Sequence, residues 1–296
     1  MYLCSDSYIN IYHKLQHMKN QIYTCLWFDG QAKAAADFYC SLFEDSRITA
    51  DTPMVVNFEL CGKKIMGLNG GPQFKINPSI SLFYFCQTME EIQALWNQLS
   101  NGGSVLMALD KYPWSEQYGW VKDKFGMTWQ LMLAELPAGE PKIMPSMLFA
   151  NAQYGNAEAA IRFYTSIFDH SVIRDLQHYQ AGGAQEEGKL MFGNFILYNE
   201  PFAAMDGPGD HEFIFNEAVS FVVNCANQQE IDYFWDKLTE GGEESQCGWL
   251  KDKFGVSWQV VPANLGQLMS DPEKGPRVIE AFLKMKKFEI DKLENA

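Results

Sequence analysis

Gly119-Trp-Val-Lys-Asp-Lys-Phe-Gly-Met-Thr-Trp-Gln130 returns 129 residues later as Gly248-Trp-Leu-Lys-Asp-Lys-Phe-Gly-Val-Ser-Trp-Gln259, identical at nine of twelve positions. Upstream of this pair, three more blocks recur in the same order. Phe38-Tyr-Cys-Ser-Leu-Phe43 returns as Phe163-Tyr-Thr-Ser-Ile-Phe168, and the segment from Phe74 through Asn77 to Ser81 as that from Phe213 through Asn216 to Ser220. Trp96 to Leu99 with Gly102-Gly103 returns as Trp235 to Leu238 with Gly241-Gly242. Four blocks in one order mark an internal duplication. The spacing drifts from 125 to 139 to 129 residues, which locates insertions at 181–188 and 203–212 in the second copy and at 104–118 in the first.

Within one copy the pattern alternates strand and helix. Ile22–Phe28 is an apolar strand, and Gln31–Phe43 carries apolar residues at 34, 35, 38, 39, 42 and 43, as an amphipathic helix does. Val55–Leu60 and Lys64–Leu68 form a hairpin turning at Cys61-Gly62, Ser79–Cys86 is a strongly apolar strand, and Met89–Leu99 is a second helix stopped by Asn-Gly-Gly. Gly119–Lys122 and Met127–Leu133 flank the turn Asp123-Lys-Phe-Gly126. The expected fold class is α+β, with each copy built from a strand–helix–strands module used twice. The expected organisation is an N-terminal extension (1–20), one domain over 21–134, a second over 145–263, and a helical tail over 264–296. In the tail, Val278–Leu283 and Lys284–Leu293 suit helices after the stops at Pro272 and Pro276, with an apolar face that covers an exposed edge or a partner subunit.

Composition narrows the partners. A net charge of −14 argues against nucleic acid and anionic membranes, both of which call for Lys/Arg patches. There is no apolar run long enough to span a bilayer, and the first twenty residues lack the apolar stretch of a signal peptide. The seven cysteines are odd in number and include no C-x-x-C pair, so free thiols in a reducing cytoplasm are expected. Aromatic residues make up 14% of the chain and serve cores and apolar pockets alike.

The F-Y-x-S-x-F helix, the segment Leu68-Asn-Gly-Gly-Pro72 and the D-K-F-G-x-x-W turns at 123–129 and 252–258 resemble the PhnB-like family of the vicinal oxygen chelate superfamily, over roughly residues 21–134 and 145–262. That superfamily includes glyoxalase I and extradiol dioxygenases. The resemblance implies tandem glyoxalase-like domains, each of two βαβββ modules whose curved mixed sheets surround a pocket. It also implies a test for a metal, because metal-dependent members place four His, Glu or Gln ligands on the first and last strands of the modules. The equivalent positions fall near Thr24, Met66, Phe83 and Gln130 in the first copy and near Pro145, Leu197, Val222 and Gln259 in the second. The glutamines alone have a ligand's chemistry, so no metal and no other cofactor is expected. A methyltransferase label attached to this family finds no support, since no Gly-rich strand-to-helix loop is followed by an acidic residue at nucleotide-site spacing.

The expected function is the binding of a small, partly apolar molecule in a sheet-lined pocket. The candidate lining is Thr24, Leu26, Phe28, Phe83, Phe85 and Gln130 in the first copy, and Val222, Asn224 and Gln259 in the second. The alternatives are a metal-dependent lyase, isomerase or dioxygenase, and an interaction module with closed pockets. The assembly is expected to be a monomer with pseudo-dimeric halves or a homodimer. Cys86 and Cys225 read as buried structural thiols, His170, His178 and His211 as surface groups, and Asp123 and Asp252 as turn residues. Ala181–Gly188 and the segment around Pro113-Trp114 read as mobile loops placed to cover a pocket.

Overall fold

A computed structural model describes residues 21–137, 139–181 and 186–296. The extension 1–20 and positions 182–185 of the expected loop lie outside the described residues. The chain falls into two compact units, one of residues 24–220 and 254–257, the other of 21–23, 221–253 and 258–296.

The larger unit opens with most of β1 (Ile22–Phe28), followed by α1 (Ala32–Leu42), β2 (Arg47–Asp51), β3 (Val55–Leu60) and β4 (Lys63–Asn69). β1 runs parallel to β4, which continues antiparallel to β3 and then β2. Small residues set the depth of α1. Ala32, Ala35 and Ala36 are fully buried, and a Cβ placed on Gly67 of β4 would lie 3.1 Å from the Ala32 methyl. The β3–β4 hairpin turns at Cys61 and Gly62, both with positive φ, as the sequence predicts.

β5 (Ile80–Cys86), α2 (Met89–Ser100), β6 (Ser104–Tyr112), β7 (Ser115–Lys122) and β8 (Thr128–Leu133) follow, then β9 (Ile143–Ala150), α3 (Ala157–Ile167), β10 (Val172–His178), β11 (Leu190–Leu197) and β12 (Glu200–Gly207). These strands make one mixed eight-stranded sheet in the order β10-β11-β12-β9-β5-β8-β7-β6. At its centre β5 of the first repeat pairs antiparallel with β9 of the second, Ser81 opposite Ser146 and Phe83 opposite Met144. Residues 104–118, expected as an inserted loop, instead form the long hairpin β6–β7, and 203–207 of the second expected insertion belong to strand β12. In both cases the extra residues extend a ladder, which satisfies their backbone groups better than a loop does.

α2 starts at a reciprocal cap. The Thr88 side chain accepts from Glu91 N–H, and the Glu91 carboxylate accepts from Gln87 N–H at 2.7 Å. The helix-side core gathers Trp129, Tyr39, Phe43, Phe58 and Tyr84, with Phe43 stacked on Trp129 at 5.1 Å. Truncating any one of these rings costs on the order of 3–5 kcal/mol.

The smaller unit carries most of β13 (Val219–Cys225), α4 (Gln228–Thr239), β14 (Glu243–Glu244), β15 (Trp249–Lys251), β16 (Ser257–Pro262), α5 (Leu265–Met269), α6 (Gly275–Leu283) and α7 (Ile290–Glu294). The α4 cap repeats that of α2: Asn227 accepts from Glu230 N–H, and the Glu230 carboxylate from Ala226 N–H. The expected helix over 284–293 shortens to α7. The carbonyls of Met285 and Lys286 are taken by Cys247 and Gly248 N–H at 2.7 and 2.8 Å, which holds that segment extended. Pro276 sits in the first turn of α6, where its missing N–H costs nothing.

Candidate functional site

The two faces of the eight-stranded sheet differ. Leu82 and Trp129 pair cross-strand and face the helices, so the neighbouring positions Phe83 and Gln130, also paired, face away from them. On this helix-free face Phe83, Tyr118, Met144 and Ala203 form a buried cluster, and Phe85, Met107, Tyr112, Trp120, Met132 and Phe192 pack around it only partly buried. Phe83 on β5 meets Phe192 on β11 at 6.0 Å between ring centroids. In the sheet order β9 and β12 lie between them, a span of about 14 Å in a flat sheet at ~4.8 Å per strand. The sheet therefore curls around this face. At the β6–β7 turn, Trp114 is half exposed, stacks on Tyr112 at 5.1 Å and meets the edge of Tyr118 at 5.7 Å.

One polar network crosses the cluster. The Tyr118 hydroxyl donates to Gln130 Oε1 at 2.8 Å, and Gln130 Nε2 donates to Ser81 Oγ at 2.6 Å and more weakly to Ser146 Oγ at 3.4 Å. Burial pushes the Tyr118 hydroxyl well above the ordinary phenol range, so it stays protonated and a donor. The polar groups on this face are thus a Gln already bonded to a phenol and two serines. This donor set does not fit a divalent ion, which calls for carboxylates or imidazoles. Among the described residues no three His, Cys, Asp or Glu side chains converge.

The structure brings Phe83, Phe85 and Gln130 together on this face. It places Thr24, Leu26 and Phe28 elsewhere. Their register against β4 sets Thr24 opposite Ile65 and Leu26 opposite Gly67, and a Cβ on Gly67 would touch Ala32 and Phe28. All three therefore point to the α1 side, a correction of one residue in the phase of β1. Phe28 also lines a groove of about 570 Å³ with Trp27, Phe74, Lys75 and Lys124. In the smaller unit Val222 and Gln259 are buried on the adjacent strands β13 and β16, and Asn224 is half-buried. On β12 the position opposite Ser146 is Ala203.

Ser81, Tyr118, Trp120, Met144, Ser146 and Phe192 were not named from the sequence. Signals were present for Ser81 and Trp120, which recur as Ser220 and Trp249 in the duplicated blocks. The β1 stretch IYTCLWF is apolar on both faces, so its phase was unreadable.

The other repeated groups serve the scaffold. Asp123 accepts from Phe125 and Met127 N–H through Oδ1 and from Trp129 Nε1 through Oδ2, and Trp258 Nε1 donates to Asp252 in the same way, both at 2.8 Å. Asn69 accepts from Ala32 N–H at the start of α1 and donates to the Pro53 carbonyl. Burial pushes the Cys86 and Cys225 thiols well up, leaving no thiolate for nucleophilic work. His178 pairs with Glu158 and His211 with the Pro208 carbonyl.

The family described as 3-demethylubiquinone-9 3-methyltransferase matches residues 20–132 and again 141–261. A putative 3-demethylubiquinone-9 3-methyltransferase, PhnB protein, from Bacillus cereus is 36% identical over 38% of this chain and 98% of its own, with a TM-score of 0.36. A protein from Staphylococcus aureus is 34% identical over 40% of this chain and 98% of its own, with a TM-score of 0.19. Glyoxalase I from Zea mays is 10% identical over 85% of this chain and 95% of its own, with a TM-score of 0.54, a likeness of fold. No curated protein matches. No helix among the described residues is long and apolar enough to cross a membrane.

Proposed function

Because the chain belongs to the 3-demethylubiquinone-9 3-methyltransferase family, with one copy in each half, we propose that it is a tandem PhnB-like protein that binds a small, partly apolar molecule without a metal. The site is the helix-free face around Phe83, Phe85 and Gln130. The observation that carries this reading is the commitment of Gln130: its amide is held by Tyr118 and Ser81 amid aromatic and thioether side chains. A few placed polar groups in an apolar concavity are the usual form of a small-molecule site. The partly exposed rings there form an apolar patch, which marks an interaction surface.

Val222, Asn224 and Gln259 supply the corresponding lining in the second copy. The free cysteines suit a cytoplasmic setting, and a net charge of −14 disfavours nucleic acid as a partner. The family's methyltransferase name carries no argument here, because a fold and a label do not supply a reaction.

Protein purified without chelator is expected to contain no stoichiometric divalent ion by elemental analysis, and EDTA is expected to leave Tm unchanged. A one-to-one Zn, Ni, Mn or Fe content lost together with Tm on chelation overturns the metal-free reading. Native mass spectrometry of the same preparation reports any co-purifying small molecule.

A further inference from the structure

Two polar atoms on the curled face are buried and make no hydrogen bond: Trp120 Nε1 and Asn194 Oδ1. Trp120 on β7 stands opposite Gln130, and Asn194 on β11 stands opposite Ala203, so both share the face of the aromatic cluster. β7 and β11 flank β5 on opposite sides. Phe83 at the centre meets Tyr118 of β7 at 6.3 Å and Phe192 of β11 at 6.0 Å, so both flanks lean towards one middle. Buried polar groups in folded proteins nearly always find a partner, so each orphan calls for an explanation. Asn57 of the first repeat, set opposite Met66 as Asn194 is opposite Ala203, has an orphaned Oδ1 too. The same deficit in both copies argues for a use.

The chemistry of the two atoms is one-sided. An indole N–H can only donate, and an amide oxygen can only accept. The other polar groups of the cluster already serve one another through Tyr118, Gln130 and Ser81. The ten cluster side chains carry no charge, so an ionic ligand would be desolvated there without a counter-charge.

Resting on the reading of this face as a binding site, we propose that its ligand is a neutral, flat, largely apolar ring compound of the hydroxyaryl ketone type, whose oxygen acceptor meets Trp120 Nε1–H and whose hydroxyl donor meets Asn194 Oδ1. The apolar side chains of the cluster surround it, and the two orphans fix its direction.

The test titrates the full chain with 6-acetyl-2-naphthol, 6-isopropyl-2-naphthol (no carbonyl) and 2-acetylnaphthalene (no hydroxyl), by calorimetry and by the ¹⁵N-resolved Trp indole signals. The Trp120 signal is identified by its loss in Trp120→Phe. The expected result is that 6-acetyl-2-naphthol binds about tenfold more tightly than either analogue and shifts the Trp120 indole proton downfield. Its advantage over the isopropyl compound then disappears in Trp120→Phe, and its advantage over 2-acetylnaphthalene in Asn194→Ala. The comparison among the three probes on the unmodified chain stands even if a variant fails to fold. Equal binding of all three with an unmoved Trp120 signal overturns the donor–acceptor inference and leaves the apolar site intact. Absence of binding by all three overturns the site and the inference together.

Discussion

Asp123 shows why the most repeated residues of this chain are not its reactive ones. Burial pushes its carboxyl above the ordinary range, while the Trp129 indole and the backbone donors of the turn draw it back. Asp123→Ala strands Trp129 Nε1 and Met127 N–H in the core, and at roughly 1–3 kcal/mol per orphan a loss of about 2–6 kcal/mol is expected in urea unfolding. Asp123→Asn keeps an acceptor and is expected to lose less. An unchanged midpoint in Asp123→Ala would remove the structural role. The D-K-F-G-x-x-W-Q motif was legible because the turn, its aspartate and its indole must keep fixed spacing. Tyr118 gave no such signal, because the other copy has Cys247 there and its hydroxyl bonds Gln130 twelve residues away; Trp120 recurs as Trp249, but its role depends on its place opposite Gln130 and on the curl of the sheet. Thr24, Leu26 and Phe28 show the opposite failure: an apolar strand buried on both faces has no phase to read.

At the scale of elements, the paired glycines after α2 and α4 have a definite cause. Gly102 and Gly241 have positive φ, and a Cβ on Gly103 or Gly242 would run into the carbonyl oxygen of Lys122 or Lys251. Gly103→Ala and Gly242→Ala are each expected to cost about 1–3 kcal/mol, read as a drop in Tm; unaltered Tm in both would mean that the backbone yields freely there. The tail is tied to α4 by charge as well as by a hydrogen bond from Gln228 Nε2 to the Phe288 carbonyl. The Asp232 carboxyl is held below the usual carboxylate range, first by a hydrogen bond from Lys287 and then by Gln228. A carboxyl lowered in the folded state contributes stability above its unfolded pKa and loses it as pH falls through the folded one. Amide exchange over 284–294 is therefore expected to speed up as pH drops below about 4, after correction for intrinsic rates, and Lys287→Met is expected to remove that step. A pH-independent protection factor contradicts it. The helical pattern of α2 and its Asn-Gly-Gly stop were plain in sequence. The β6–β7 hairpin was not, because its residues Ser104–Tyr112 are mostly exposed and show no apolar alternation.

Across the whole molecule, duplication is visible as sequence but the pairing of its parts is not. Nothing in residues 80–86 or 143–150 specifies that β5 takes β9 as its antiparallel neighbour, since both stretches are apolar strands with open choices. The consequence is a prediction for the isolated first repeat. Residues 21–134 retain β5 but lose β9, which leaves an apolar strand edge free, and such edges recruit another chain. That fragment is expected to run as a dimer or larger species in light scattering, and a monodisperse folded monomer would show that the edge is covered some other way.

The β5–β9 seam also sets a timetable for the ribosome. β5 leaves the exit tunnel about 60 residues before its partner strand, a wait of roughly 3–12 s at ~5–20 residues per second. For that interval the nascent chain carries an unmatched apolar edge within reach of its neighbours on the same polysome. Slow codons before Ile143 lengthen the exposure and fast ones shorten it, so the yield of soluble protein is tied to the pace at which the message is read between the two repeats.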